Sequence, residues 1–417
     1  MFKILRIHAI FLALYFVLYV TVSHYAVLRW GQRASYLLPL FKELSWFMIV
    51  GWCLIIGRTD IRSYWRHTRL IWLLLWSIAI RGIVATILAH GTNTTVRINI
   101  AVWLKYGLYA SIIFYSAWWV GYMTSLTSDQ IHRYIKLICY IIIVICMGWA
   151  VWQACKMIMP DLFYQVLWYG QIGDYALWKA HPIYYRTGPW GSPRFSALMS
   201  GPNNLWYLLV AYAAVMPLYV RERWARLIYY ISAVATFSRA ALLWIGIPML
   251  LDSIRRTSNK YRWILVLSLA ILVVAVLVLS LIKWWSTQAH LTLTWSAIQS
   301  VVNHPWGIGL WSSWPGVHRW GSILPENFYL QLLIDYGVIP FIAWCGYRYM
   351  IITKARTLTK SGHELSLTLR AYMVGFIWLL IVGLFLHVFE DSVVNYLFFI
   401  PFGIIRWHIL KSTHGSP

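Results

Sequence analysis

The sequence predicts an all-α integral membrane protein of about twelve transmembrane helices, and three observations carry that prediction. Hydrophobic residues make up 61% of the chain and charged residues only 11%, where an ordinary soluble domain carries about 25% charged residues. Apolar runs of about 20 residues, the length that crosses the hydrocarbon as a helix, recur along the whole chain. The ten-residue units of alternating hydrophobicity that mark an outer-membrane barrel do not occur.

Hydropathy places the helices near 5–25, 36–57, 70–90, 100–122, 134–156, 203–220, 226–237, 240–251, 263–282, 327–349, 371–389 and 392–410. The first run lacks a small-residue cleavage site and reads as a first helix, not a removed signal. The seventh and eighth are short, with Ser238-Arg239 marking a sharp break between them. Residues 1–417 form a single polytopic membrane domain with no internal repeat. The five cysteines, Cys53, Cys139, Cys146, Cys155 and Cys345, lie mostly in apolar runs without paired spacing. They read as buried small residues, with no disulfide frame and no metal site.

The net charge of +23 would point to nucleic acid in a soluble protein. Here basic residues cluster in alternate loops, as cytoplasmic anchoring requires, and no nucleic-acid partner is implied. Those loops hold Lys3 and Arg6; Arg58, Arg62, Arg66 and Arg69; Arg133 and Lys136; Arg221, Arg223 and Arg226; Arg255, Arg256, Lys260 and Arg262; Arg348, Lys354, Arg356, Lys360 and Arg370; and Arg406 and Lys411. The charge rule then puts both termini in the cytoplasm and turns two long loops, about 157–202 and 283–326, outward. Both loops are rich in Trp, Tyr, Gly and Pro, as in Gly188-Pro189-Trp190-Gly191 and Trp311-Ser312-Ser313-Trp314-Pro315-Gly316. Such rings either anchor a chain at the headgroup level or stack on the C–H faces of sugars.

Acidic residues number only 12, so each is informative. Asp60, Asp129, Glu222, Asp252 and Glu364 fall in cytoplasmic loops beside basic residues, and Glu43 adjoins Lys42 within the second helix. Asp161, Asp174, Glu326, Asp335, Glu390 and Asp391 remain for outward-facing chemistry. Glu326 stands between Pro325 and the apolar run beginning Asn327-Phe328-Tyr329-Leu330. A carboxylate there is favoured by the helix dipole. It serves either as a plain cap or as a general base toward a hydroxyl.

Among the cations, Lys179, Arg186 and Arg194 lie in the first outward loop, Arg319 follows His318 in the second, and Arg239 sits at the break between two short helices. An arginine in or near hydrocarbon is costly and calls for a partner, either an internal one or a phosphate that its planar fork matches. Arg81 and Lys105, inside other spans, read as structurally paired or as lining a polar cavity. No phosphate-binding glycine loop, paired His/Cys metal spacing or Gly-x-Ser-x-Gly elbow is present. No cofactor and no metal is expected.

Four separated segments carry a resemblance. They are Arg194-Phe195-Ser196 with Gly201-Pro202-Asn203-Asn204; Thr236-Phe237-Ser238-Arg239-Ala240-Ala241-Leu242-Leu243; Asn303-His304-Pro305-Trp306-Gly307-Ile308-Gly309; and Glu326-Asn327-Phe328-Tyr329-Leu330-Gln331 running to Asp335-Tyr336-Gly337. In order and spacing they resemble the bacterial O-antigen polymerase and ligase superfamily over roughly the second half of the chain. The resemblance implies a GT-C-like glycosyltransferase in the bacterial inner membrane, working on its periplasmic side. Its donor is an undecaprenyl-diphosphate-linked glycan, its transfer is inverting and metal-independent, and a chain-length regulator protein is an implied partner. Glu326, Arg239 and Arg194 take the catalytic places. Arg186, Arg319, Asn203, Asn327, Tyr329 and His318 take substrate-binding places. Ligases of this superfamily carry His, then Asn, Ser or Gln, nine residues and Gly-x-x-Gly. Here the order is Glu326-Asn327, nine residues and Gly337-Val338-Ile339-Pro340. That departure favours a polymerase over a ligase that hands the glycan to lipid A-core. A polysaccharide flippase is the rival of different class; the missing repeat and one-sided polar content speak against it.

Overall fold

The computed structural model describes residues 1–30, 40–56, 61–90, 94–124, 126–162, 165, 202–235, 274, 284–309, 327–384, 386, 388–390 and 392–414. Helices occupy nearly all of them, and no strand occurs among them. In chain order they are α1 (Phe2–Trp30), α2 (Leu40–Ile56), α3 (Ile61–His90), α4 (Thr94–Met123), α5 (Ser128–Ile158), α6 (Pro202–Tyr212), α7 (Met216–Tyr219), α8 (Arg223–Ala235), α9 (Trp284–Asn303), α10 (Phe328–Tyr336), α11 (Val338–Leu358), α12 (Ser366–Val382) and α13 (Ser392–His414). A 3-10 turn, Val388–Glu390, precedes α13. Among the described residues, three stretches are long and apolar enough to cross a membrane: Thr68–Leu88, Ser128–Gly148 and Val393–Ser412. The expected spans 240–251 and 263–282 lie outside the described residues, apart from Val274.

The helices overrun the apolar segments that announce them. α3 begins at Ile61, nine residues ahead of the expected start, and takes Arg62, Arg66 and Arg69 into its first turns. The exposed Arg69 side chain can lie along that extension with its charge in water. Two expected helices are broken. The run 203–220 divides at residues 213–215, where Pro217 lacks the N–H that a continuous ladder needs. The run 327–349 divides at Gly337, whose φ of 86° and ψ of 176° no helix accommodates. Conversely, the segment 283–326, expected as a loop, contains the 20-residue helix α9.

The chain forms two compact units: Met1–Met48 with Asp129–Trp284, and Ile49–Ser128 with Trp285–Pro417. In the first unit, His8 Nε2 meets Ser45 Oγ at 3.2 Å and its ring lies 5.4 Å from that of Trp46, tying α1 to α2. Lys42 and Glu43 form the expected local pair, at 3.0 Å and buried. Arg133 and Asp129 form an exposed pair at 2.6 Å. Tyr140 on α5 donates its hydroxyl to Glu222 Oε2 at 2.7 Å, in the loop before α8. That bond holds the Glu222 carboxyl below its ordinary value.

The second unit is organised around α13, of whose apolar stretch 89% is buried, against 35% for the stretch in α3. α13 lies along α4 at a separation that only small residues permit. A Cβ added to Gly403 would stand 2.5 Å from the Phe114 carbonyl oxygen and 3.0 Å from the Ala117 Cβ, and one added to Gly121 would stand 3.2 Å from the Ile404 Cα. Within a bilayer, such close backbone approach supplies the dispersion contacts that hydrophobic burial cannot. Rings fill the flanks, with Phe114 against Phe402 at 5.1 Å, Tyr122 against Trp407 at 4.5 Å and Tyr372 stacked on Phe402 at 6.0 Å. Tyr109 donates to the Tyr396 hydroxyl at 2.6 Å across the same interface. All five cysteines are free.

Candidate functional site

Two of the four sequence segments singled out above meet in the second unit. After α9, His304–Gly309 leave the helical path through a turn in which the Gly307 N–H bonds the His304 carbonyl at 3.0 Å. The Ile308 N–H then donates to the Ile334 carbonyl at 2.7 Å, and the Val338 N–H donates to the Pro305 carbonyl at 2.9 Å. These bonds clasp the loop to the junction of α10 and α11. Gly307 (φ 84°) and Gly337 (φ 86°) face each other at the crossing. A Cβ on Gly337 would stand 2.5 Å from the Trp306 carbonyl carbon, and one on Gly307 would stand 2.7 Å from the Gly337 nitrogen. Only glycine meets both requirements at once, a positive φ and no side chain.

Arg81, from the middle of α3, completes the clasp by donating Nη2 to the Trp306 carbonyl at 2.8 Å. It is half-buried, while His304 and Trp306 are exposed. From its place inside a span, Arg81 is expected to be structurally paired or to line a polar cavity. Its partner is a neutral carbonyl, and among the described residues no ion pair offsets its charge.

The start of α10 is held as firmly. Asn327 is its N-cap: Oδ1 accepts from the N–H groups of Tyr329 at 2.9 Å and Leu330 at 3.1 Å, and Nδ2 donates to the Leu384 carbonyl at 2.6 Å. The Phe328 N–H bonds the Gly383 carbonyl at 3.0 Å, and the Tyr329 hydroxyl donates to the Leu380 carbonyl. Asn327 and Tyr329, expected at the substrate, thus spend these polar groups fixing the helix that follows Glu326. Asp335 and Gln331, on the same helix, are fully buried. Asn203 lies in the first turn of α6. Glu326, Arg239, Arg194, Arg186, Arg319 and His318 lie outside the described residues, as does Asp391.

Two arginines counted in the sequence as cytoplasmic anchors are corrected by the structure. Arg348 is buried inside α11, with its guanidinium carbon 4.6 Å from the Trp344 ring centre and 4.9 Å from that of Phe389. Its Nη2 reaches Ser111 Oγ at 3.3 Å. Arg406 is buried inside α13, 4.7 Å from the Trp118 ring and 5.6 Å from that of Phe114. Ring faces attract a cation most where water is excluded. The signal for Arg348 was local: Trp344 and Tyr347 stand four and one residues before it, well inside an apolar run.

Among the described residues the geometry defines an all-helical protein with stretches fit to span a membrane and an exposed, non-helical shelf pinned by an arginine from one of those stretches. No protein-family model matches the chain, and no curated protein matches its sequence.

Proposed function

We propose that this chain is a polysaccharide polymerase of the bacterial inner membrane, with twelve spans in a GT-C-like arrangement and its active site on the periplasmic side. It joins undecaprenyl-diphosphate-linked repeat units into O-antigen, capsule or exopolysaccharide. The observation that supports this reading is the clasp: the loop of the third resembling segment bonds to the end of the fourth, through Ile308 to Ile334 and through Pro305 to Val338, the residue just after that segment. The Asn327 cap adds to it, because it firmly holds the start of the helix that follows Glu326 in the sequence.

In this reading Glu326 removes the proton of an acceptor sugar hydroxyl. The oxygen attacks the anomeric carbon from the face opposite the leaving group, the bond from that carbon to the diphosphate oxygen breaks, and the diphosphate departs on its lipid. Arg239 and Arg194 offset the charge gathering there. No metal and no cofactor takes part.

The test is reconstitution of the purified chain in proteoliposomes with a lipid-linked repeat unit, followed by gel analysis. A ladder without lipid A-core is the expected product, lost in Glu326→Gln and in Arg239→Ala although both variants insert. Product that forms only when lipid A-core is added makes the chain a ligase. Movement of the lipid-linked sugar across the bilayer without product makes it a flippase. Full-length polymer from Glu326→Gln removes that residue from the role of base.

A further inference from the structure

We propose that Arg81 is a binding residue for the diphosphate of the lipid-linked donor, with the Trp306 carbonyl holding its guanidinium in place. This deepens the proposed function and rests on it for the identity of the donor.

The first observation is depth. Arg81 lies inside the apolar stretch Thr68–Leu88, about 10 Å along the helix axis from the Leu88 end. By the charge pattern of the loops, that end faces outward. A cation at such a depth marks a functional site unless its charge is answered. A carbonyl oxygen accepts one hydrogen bond but carries no counter-charge, and the guanidinium has five donors in a planar fork.

The second observation is the exposed segment beside it. Helix α9 ends at Asn303, and His304, Pro305 and Trp306 run on exposed and non-helical at the level set by the Arg81 bond. The His304 side chain is exposed there, and an ionisable group at membrane depth faces a polar, hydrated space and not lipid tails. A half-buried cation and an exposed polar shelf therefore share one space at membrane depth. Buried Arg348 and Arg406 do not reach it, since ring faces enclose both.

The ligand that suits this space is anionic at its head, reaches that depth from the lipid side and bears an apolar chain. A diphosphate on a long isoprenoid lipid has all three properties, and a guanidinium fork pairs with phosphate oxygens at two points. Trp306, 63% exposed on the same shelf, presents a ring face to the sugar that the diphosphate carries.

The experiment measures binding of undecaprenyl diphosphate, without sugar, to the full chain in zwitterionic lipid nanodiscs. Arg81→Gln keeps a donor for the Trp306 carbonyl and removes the charge; Arg81→Lys keeps both. The expected result is a loss of about tenfold or more for Arg81→Gln and a loss of about threefold or less for Arg81→Lys, with both unfolding midpoints near that of the wild type. Equal binding by wild type and Arg81→Gln overturns this inference alone. So does equal displacement of the probe by phosphatidylglycerol, which would make Arg81 a site for bulk lipid phosphate. Failure of the wild type to bind the probe overturns the proposed donor, and this inference with it.

Discussion

Replacing Gly403 by alanine tests the packing on which the second unit depends. The added Cβ would lie 2.5 Å from the Phe114 carbonyl oxygen, 3.0 Å from the Ala117 Cβ and 3.0 Å from the Trp118 nitrogen, where ordinary contact begins at 3.4 Å. Two of these three atoms are backbone and cannot rotate away, so α4 and α13 must part by roughly 1 Å. Overfilling a tight core in this way costs about 1–3 kcal/mol. The separation also stretches the 2.6 Å bond between Tyr109 and Tyr396. The assay is equilibrium unfolding of the detergent-solubilised chain, followed by the fluorescence of its 28 tryptophans. Gly346→Ala is the control. That glycine also lies inside a helix, but a Cβ there meets nothing within 4 Å, so alanine should be neutral or stabilise by about 0.5–1 kcal/mol. Equal stability of Gly403→Ala and Gly346→Ala would refute the argument.

Three further outcomes are expected. Gly337→Ala should cost about 1–3 kcal/mol in the same unfolding assay, because its φ of 86° is closed to other residues and the Trp306 backbone occupies the space of a Cβ. Arg348→Met, apolar and similar in length, should match or exceed wild-type stability, whereas Arg348→Ala should lose about 2 kcal/mol or more to the cavity it leaves; equal midpoints for the two variants would refute the reading of Arg348 as a space-filling cation. The Glu222 carboxyl is held below its ordinary value by the Tyr140 hydroxyl. Its contribution is therefore complete above the unfolded-chain value and is lost as pH falls through the lowered folded value. Unfolding midpoints of wild type and Tyr140→Phe should differ at neutral pH and converge in acid.

The helical class was legible from composition, from apolar runs of helix-spanning length and from the missing period-2 alternation, because backbone in lipid must be satisfied within helices or a closed barrel and the pattern speaks against the barrel. The local pair of Lys42 and Glu43 was legible because adjacency is enough. The break at Gly337 was not, since apolar residues continue on both sides of it and the need for glycine arises from contact with Trp306, thirty-one residues earlier in the chain. Helix α9 was hidden by its Thr, Ser and Gln residues, which resemble a loop until their hydroxyls are seen bonding back along the helix, as Ser296 does to Thr292 at 3.0 Å. Arg348 and Arg406 were misread because counting basic residues by segment ignores how far inside a helix each one stands. The clasp between two motif segments was anticipated only as a shared resemblance. Its physical basis, paired glycines and an arginine from α3, belongs to the folded chain.

The close pairing of α4 with α13 also has a consequence for how the protein is made. Tyr109 and Tyr396, bonded across that pair, stand 287 residues apart in the chain. α4 therefore enters the bilayer long before the helix that covers its Ala117 and Gly121 edge has been synthesised. Throughout that interval the edge faces lipid or a passing helix. A chain cut short before Ser392 would leave it open permanently, giving the membrane's quality-control proteases a helix edge to recognise.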